Sequence, residues 1–548
     1  MTGLWWLGIP LAPLLAMPLM WRWRDRVAPW LWLACVPAFL AALYPPASHS
    51  MAWLWPGATW GGDDLVTRAF LGFSALLWAC ASLYASQSER THPRRRRFWT
   101  FWLITLSGNL LLIIAQDGVS FYVGFTLMSL CAYGLVVHTG GAEPRQAGRL
   151  YVQLAVLGEM FLYAALLVRI HEAGGALDFE AWQTAPLGIP TAILLLLGFG
   201  IKAGFWPLHI WLPQAHPAAP AAASAILSGA MIKAGILGLW RFMPQDDPLL
   251  ADWSQWLFAI GLFSAFYGVV LGILQTRAKA ALAYSSISQI GYLLIILSLS
   301  WNNPGTHELW VALLALYAVH HGLAKGALFM GAGLASRHRL SVGQWFLMLI
   351  PALAIAGLPL TSGGAVKTLL KGSLTETALG NWLPLITWGS FASALVLARA
   401  LWLMKQKQGD QTTVSRRLTY PWAFLCCAPL LLPWVWDEMR TAMLASLTLY
   451  DAWSIILPLV VAGALIAIAL GQGWTIPRAL VPLPNPAIYA SLWVKRLLQW
   501  RARGLMVITL DKTQWRQRER KWNRFWQQGT VAVSAWLLCF LLLLGWVW

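Results

Sequence analysis

Lys202, Lys233, Lys325 and Lys367 each fall inside a long apolar stretch of this chain, far from any run of charged residues. A charged side chain at bilayer depth costs roughly 2.5–3.5 kcal/mol on insertion scales, and those that remain usually face a polar interior on an ion pathway. Burial disfavours the ammonium form. A buried lysine beside a movable carboxylate therefore changes protonation as that neighbour approaches or withdraws. Glu159 in "VLGEMFLY" is the one carboxylate placed deep in the first half of the chain, and it is the expected partner of Lys202. Lys233 lies mid-span in the next helix and is placed to take the following step. His320 and His321 adjoin, and a spacing of four puts His321 on the helical face of Lys325. Gln289 and the serines of "LAYSSISQIGY" are suited to holding water between such groups. The chemistry these residue types support is proton transfer along a line.

Four further groups have a plain alternative. Lys279 and Lys371 lie near helix ends, where a lysine can simply snorkel to the headgroups. His209 and His216 in "FWPLHIWLPQAHPAAP" serve equally well as caps on a broken helix. Lys202 and Lys367 flank helix breakers, "GFWP" and "GLPLTSGG" respectively. Breaks expose backbone groups, which are tolerated at membrane depth only against protein or a wet cavity.

The elements that must position these residues are membrane helices. Of the 548 residues 59% are hydrophobic and 11% charged, and the mean hydropathy is +0.60. Soluble domains carry about 25% charged residues, and continuous apolar runs of this length cross a ~30 Å hydrocarbon core as helices, not as barrel strands. The hydropathy pattern predicts an all-α polytopic membrane protein of about sixteen spans. They fall near 3–21, 28–45, 66–87, 98–115, 119–138, 150–170, 191–212, 222–242, 253–275, 280–300, 309–335, 342–375, 383–404, 419–436, 452–471 and 530–548. Residues 1–97 form the N-terminal helices, 98–242 and 253–404 two comparable five-span halves, and 405–472 accessory helices. Each half has one interrupted span, the mark of an inverted-repeat transporter. The Pro-, Trp- and Arg-rich block 473–529 reads as an amphipathic helix on the membrane surface before a last span at 530–548. Its plain alternative is a solvated basic loop beside anionic lipid.

The formal net charge of +18 resides in short connections such as "SERTHPRRRR" (88–97), "PRQAGR" (144–149), "QTRAK" (275–279) and "SRHR" (336–339). The alternate connections, "GGDD" (61–64), "HEAGGALDFE" (171–180) and "QDDP" (245–248), are neutral or acidic. That alternation is the positive-inside rule over many crossings. It argues against nucleic-acid binding and places both termini on the periplasmic side of a bacterial inner membrane if the span number is even. The six cysteines have no metal or cluster spacing and read as packing residues. No redox cofactor or metal is expected, and no covalent chemistry in this chain. The N-terminal stretch has its basic residues after the apolar run and reads as a first span, not a cleaved signal.

Four segments resemble the antiporter-like family shared by respiratory complex I, Mrp-type cation/proton antiporters and group-4 membrane-bound hydrogenases. They are "GIKAGFWPLHIWLPQAHPAAPAAASAILSGAMIKAG" (200–235), "QTRAKAALAYSSISQIGYL" (275–293), "HHGLAKGALFMGAG" (320–333) and "GLPLTSGGAVKTLLKGSL" (357–374). The resemblance covers roughly 98–404. It implies two inverted five-helix repeats with hydrated half-channels, and Lys202, Lys233, His321, Lys325 and Lys367 as proton-path residues. It also implies partners: membrane and cytoplasmic subunits of an energy-coupling complex, with a redox module. Two departures bear on this. Where the family usually has a fifth-helix glutamate facing the Lys202 equivalent, this chain has Thr126, so Glu159 must substitute. The surface segment, ~45 residues at 1.5 Å each, spans under ~70 Å, short for bracing a row of antiporter subunits. Three alternatives stay open. One is the membrane subunit of a two-component inorganic-carbon accumulation complex with a zinc-containing, carbonic-anhydrase-like partner. The others are stand-alone Na⁺/H⁺ exchange and a structural anchor whose proton path has decayed.

Overall fold

A computed structural model describes residues 2–303, 307–411 and 413–474. The expected surface segment and last span fall largely or wholly outside them. The described residues form a helical bundle. Its helices are α1 (Thr2–Val27), α2 (Val36–Leu43), α3 (Leu65–Ser88), α4 (Arg95–Ile114), α5 (Gly118–Val136), α6 (Ala142–Glu172) and the short α7 (Phe179–Thr184). There follow α8 (Ile189–Ala203), α9 (Leu212–Ala218), α10 (Ala221–Ile226), α11 (Lys233–Phe242), α12 (Pro248–Ile273), α13 (Ala278–Asn302) and α14 (His307–Arg337). The last helices of the described residues are α15 (Val342–Ala356), α16 (Ser362–Thr375), α17 (Leu383–Gln406), α18 (Arg416–Leu431), α19 (Asp437–Ala445) and α20 (Leu449–Gly471). A two-residue hairpin, His49–Ser50 with Thr59–Trp60, is the one sheet among the described residues.

Among the described residues eleven helical segments, with α10 to α11 (Ala221–Phe242) counted as one, are long and apolar enough to span a membrane, or twelve if α18 and α19, bent by 90°, form one span. The difference from sixteen has identifiable causes. The run 530–548 lies outside the described residues. The run 28–45 is a 3₁₀ turn (Ala28–Cys35) followed by the eight-residue α2. The runs 191–212, 342–375 and 419–436 are broken where Gly or Pro interrupts the ladder. Hydropathy does not register those breaks.

Both interruptions near Lys202 and Lys367 are real, and they end alike. The helix α8 stops at Gly204 (φ +73°), and α15 stops at Gly357 (φ +100°), each in the left-handed conformation that favours glycine at a helix C-terminus. The span Ala221–Phe242 holds a feature that periodicity does not show: residues Leu227–Met231 between α10 and α11 form a π-helical turn. Such turns cost regular hydrogen bonding and recur at functional sites.

The basic connections meet at one end of the bundle. There Arg277 pairs with Glu143 and Arg337 Nη1 donates to Ser88 O (3.1 Å). The neutral and acidic connections meet at the other. Gln116 N donates to Thr59 O (2.8 Å), Leu187 N to Asp247 Oδ2 (3.1 Å), and Gln245 N to Gln183 Oε1 (3.1 Å). The charge alternation along the sequence is thus a segregation in space.

Close helix contacts depend on glycine. A Cβ at Gly268 would sit 2.6 Å from Tyr284 O and 2.7 Å from Ser288 N, across the α12–α13 seam, whereas one at Gly343 meets nothing within 4 Å. Gly268→Val is expected to destabilise by about 1–3 kcal/mol through overpacking, and Gly343→Ala to be neutral or slightly stabilising. Unfolding midpoints of the purified protein in detergent check both.

Candidate functional site

The expected Lys202–Glu159 neighbourhood exists, through a hydroxyl. Lys202, in the last turn of α8, donates to Ser129 Oγ on α5 at 2.8 Å and lies 3.4 Å from Tyr151 Oη on α6. Its ammonium also faces the rings of Phe125 and Tyr151, at 5.7 and 5.8 Å. Glu159 Oε2 accepts from Thr126 Oγ1 at 2.6 Å, and Oε1 has no partner among the described residues. Glu159 and Lys202 lie close enough to attract each other electrostatically. Thr126 therefore holds a carboxylate delivered from the neighbouring helix.

The helices bearing Lys202 and Lys233 pack closely along the α8–α11 seam, where a Cβ at Gly235 would lie 2.5 Å from Phe199 O and 2.7 Å from Ala203 N. Lys233 is fully buried, and its Nζ donates to Ser228 O at 2.5 Å. Ser228 belongs to the π turn. The turn thus presents a backbone carbonyl to an ammonium five residues on. On its other side Ser228 Oγ shares a hydrogen bond with Ser286 Oγ at 2.7 Å. Next to it Ser285 accepts from Lys325 Nζ, which also donates to Leu282 O at 3.0 Å.

His321 and Lys325 share α14, as their spacing requires. Neither ring nitrogen of His321 has a hydrogen-bond partner among the described residues, and the charged groups acting on it are Lys233, Lys325 and His320. His320 Nδ1 pairs with Ser362 Oγ at 2.8 Å, on the first residue of α16. Lys367, on the same helix, reaches back across the break to Ala356 O (3.0 Å) and to Ser390 Oγ (3.2 Å), with the Tyr292 ring 5.6 Å away. A Cβ at Gly357 would lie 2.7 Å from Lys367 Cδ, so glycine both ends α15 and lets the lysine pass.

The auxiliary residues divide. Gln289 bridges Ser393 Oγ (3.2 Å) and Tyr317 Oη (2.8 Å), inside the polar axis near Lys367. Lys279 is half-buried and donates to Ala219 O (2.7 Å), capping α9, with Ser224 Oγ at 3.5 Å. His209 Nε2 pairs with Tyr267 Oη at 3.1 Å. His216 is buried flat against Phe329, ring centroids 4.6 Å apart, with both nitrogens unpaired among the described residues. Lys371, one turn beyond Lys367 on α16, lies 3.4 Å from Ser454 O on α20 and is close enough to Lys367 for their charges to interact.

Sequence reasoning missed Ser129, Tyr151, Ser228 and Ser390, because serines and tyrosines in apolar runs are common and nothing in their spacing marks them. It also missed Arg241, which had a signal: an arginine near the end of an apolar run. Arg241 is buried and donates to Leu112 O (2.9 Å), Ile113 O (2.7 Å), Ala115 O (2.7 Å) and Thr67 Oγ1 (2.7 Å), closing the C-terminus of α4. A third missed group lies at the basic end. Glu89 Oε2 and His138 Nε2 are 3.1 Å apart, with the His92 ring 4.1 Å from that of His138. Burial would push the Glu89 carboxyl up. The hydrogen bond and charge of His138, with the Arg337 guanidinium, outweigh burial and hold it below its ordinary value.

Comparison with known proteins finds similar sequences and a similar fold. Residues 115–395 match the family model "NADH:quinone oxidoreductase/Mrp antiporter, TM". The chain is 33% identical over 285 residues to hydrogenase-4 component B of Escherichia coli (strain K12), covering 50% of this chain and 42% of that one. It is 27% identical over 388 residues to the putative antiporter subunit mnhA2 of Staphylococcus aureus (strain MRSA252), covering 63% and 47%. It is 32% identical over 254 residues to NAD(P)H-quinone oxidoreductase chain 4 3 of Picosynechococcus sp., covering 44% of each. The matched part thus spans less than half the length of these relatives. The fold aligns with a chain in the solved Mrp complex from Dietzia sp. DQ12-45-1b at a TM-score of 0.72 and 20% identity, over 97% of this chain and 62% of that one.

The Arg241 geometry predicts a structural role. Arg241→Leu orphans buried carbonyls at about 1–3 kcal/mol each, so its unfolding midpoint should fall well below that of Lys233→Met. Parallel melts of the two variants read this directly.

Proposed function

The chain belongs to the NADH:quinone oxidoreductase/Mrp antiporter transmembrane family, and from that premise we propose that it translocates protons as an antiporter-like membrane subunit of a multi-subunit energy-coupling complex. The observation that carries the reading is a succession of three buried polar groups: Glu159 with Lys202, then Lys233, Ser228, Ser286 and Lys325, then His320 and Lys367. Along it, titratable nitrogens alternate with hydroxyls and released carbonyls. Hydroxyls both donate and accept, so they can pass a proton between amines that cannot accept one while charged.

The two halves, 98–242 and 253–404, act as inverted repeats. Each contributes a half-channel that opens at a broken helix, with Lys202 and Lys367 as the corresponding ammonium groups. Glu159 takes the part that a fifth-helix glutamate plays elsewhere in the family, and Thr126 orients it. A proton pathway fits these residues better than a sodium one. A set of ammonium groups repels a metal cation, and five of the six titratable groups, the four lysines and His320, are cationic when protonated. Membrane and cytoplasmic subunits, a redox module or a zinc-containing protein among them, supply the driving reaction. The setting is a bacterial inner membrane with the basic end of the bundle facing the cytoplasm.

The test is proton uptake by reconstituted vesicles containing the native complex. Lys202→Met and Lys367→Met should each lower flux by at least about tenfold, 1.4 kcal/mol in barrier terms, while co-purification of partner subunits is unchanged. Normal flux in both variants removes the proposal. A sharper version moves the carboxylate. Glu159→Gln should lose flux, and Thr126→Glu added to it should restore a measurable part. Failure of the double variant, with Lys202→Met still inactive, would mean that the helix bearing the carboxylate matters as much as its charge.

A further inference from the structure

We propose that Glu89, His92 and His138 form a binding site for a borderline-soft divalent cation, Zn²⁺ in the first instance, at the basic end of the bundle. One ligand atom from each residue lies within 4.8 Å of the other two. The three come from separate elements that the fold fixes: Glu89 caps the C-terminus of α3, His138 follows α5, and His92 lies in the connection between α3 and α4. Two imidazoles and one carboxylate are a donor set that zinc uses with a fourth position left open, whereas Mg²⁺ and Ca²⁺ prefer oxygen.

An observation beyond the cluster itself bears on access. Glu89 lines a cavity of about 310 Å³ together with Thr139, Lys279 and Arg337, so the carboxylate edge of the site is open to an ion. The two imidazoles stand behind it, with the His138 ring fully buried. On binding, the metal replaces the proton shared by His138 Nε2 and Glu89 Oε2, whose 3.1 Å separation is close to the spacing of two ligands on one ion. His92 is half-exposed and accepts from Arg94 N at 3.2 Å through Nδ1. Ligation through Nε2 moves its proton to Nδ1 and gives up that bond, a small turn for a side chain in a connection.

The surrounding cations set the affinity. Arg97 donates to Val137 O (3.3 Å) and His138 O (3.5 Å), and Arg337 to Ser88 O. Their repulsion places the expected affinity in the micromolar range, below that of structural zinc sites, and makes it rise with ionic strength as the arginines are screened.

The inference is independent of proton conduction, and its test needs no flux. Untagged full-length protein, stripped with a chelator, is titrated with Zn²⁺ by calorimetry in detergent. The wild type should bind one equivalent at micromolar concentration, with Mg²⁺ giving no heat. His92→Ala and Glu89→Gln should each weaken binding by at least about tenfold, and Zn²⁺ should raise the unfolding midpoint of the wild type only. His92→Ala decides the matter if Glu89→Gln fails to fold, since His92 is not part of the buried pair. Absence of micromolar binding in the wild type, or equal binding by His92→Ala, overturns the proposal.

Discussion

A buried ammonium group resting on a backbone carbonyl or hydroxyl is the interaction that this bundle is arranged around. Lys202 sits in the last turn of α8, Lys233 donates to the π-turn carbonyl of Ser228, and Lys367 donates to Ala356 at the end of α15. Lys279 does the same at the end of α9. Helix C-termini carry partial negative charge and unsatisfied carbonyls. At Lys233, Lys367 and Lys279 the break therefore supplies what the desolvated cation lacks and the cation satisfies part of what the break exposes, whereas Lys202 rests on the hydroxyls of Ser129 and Tyr151. Neither half of the arrangement is tolerable alone in an apolar medium.

The same logic separates the arginines from the lysines. Arg241 and Arg169 also close helix ends, but their forks each take several acceptors at once. Arg169 reaches the carbonyls of Trp182, Ala185 (3.0 Å) and Pro186 (2.6 Å). A guanidinium holding several carbonyls cannot release its proton and is a strut. A lysine holding one or two partners remains exchangeable. The division between struts and titratable groups follows from side-chain chemistry as much as from position.

How much of this the sequence disclosed follows from what hydropathy and spacing measure. The two breaks were legible because Gly and Pro stand beside lysine in "GIKAGFWP" and "GLPLTSGG", where a helix ladder cannot continue. The pairing of Glu159 with the Lys202 site was legible by elimination, and the charge segregation by alternation. The hydroxyl links were not, since Ser129, Ser228 and Ser390 look like the other small residues that let membrane helices approach. The π turn at Leu227–Met231 was invisible because it changes hydrogen-bond register without changing composition. The span count differs because interrupted and short apolar runs do not form single helices long enough to cross, and because 530–548 lies outside the described residues; the Glu89–His138 contact was hidden because its two connections meet only in three dimensions.

His321 is the one member of the axis whose side chain holds no hydrogen bond among the described residues, although Lys233, Lys325 and His320 surround it. Every other link must break a bond before it moves. Swinging this imidazole about its Cβ–Cγ bond breaks no hydrogen bond among the described residues, so only packing and the neighbouring charges hold its orientation. Among tethered neighbours it is the loose joint.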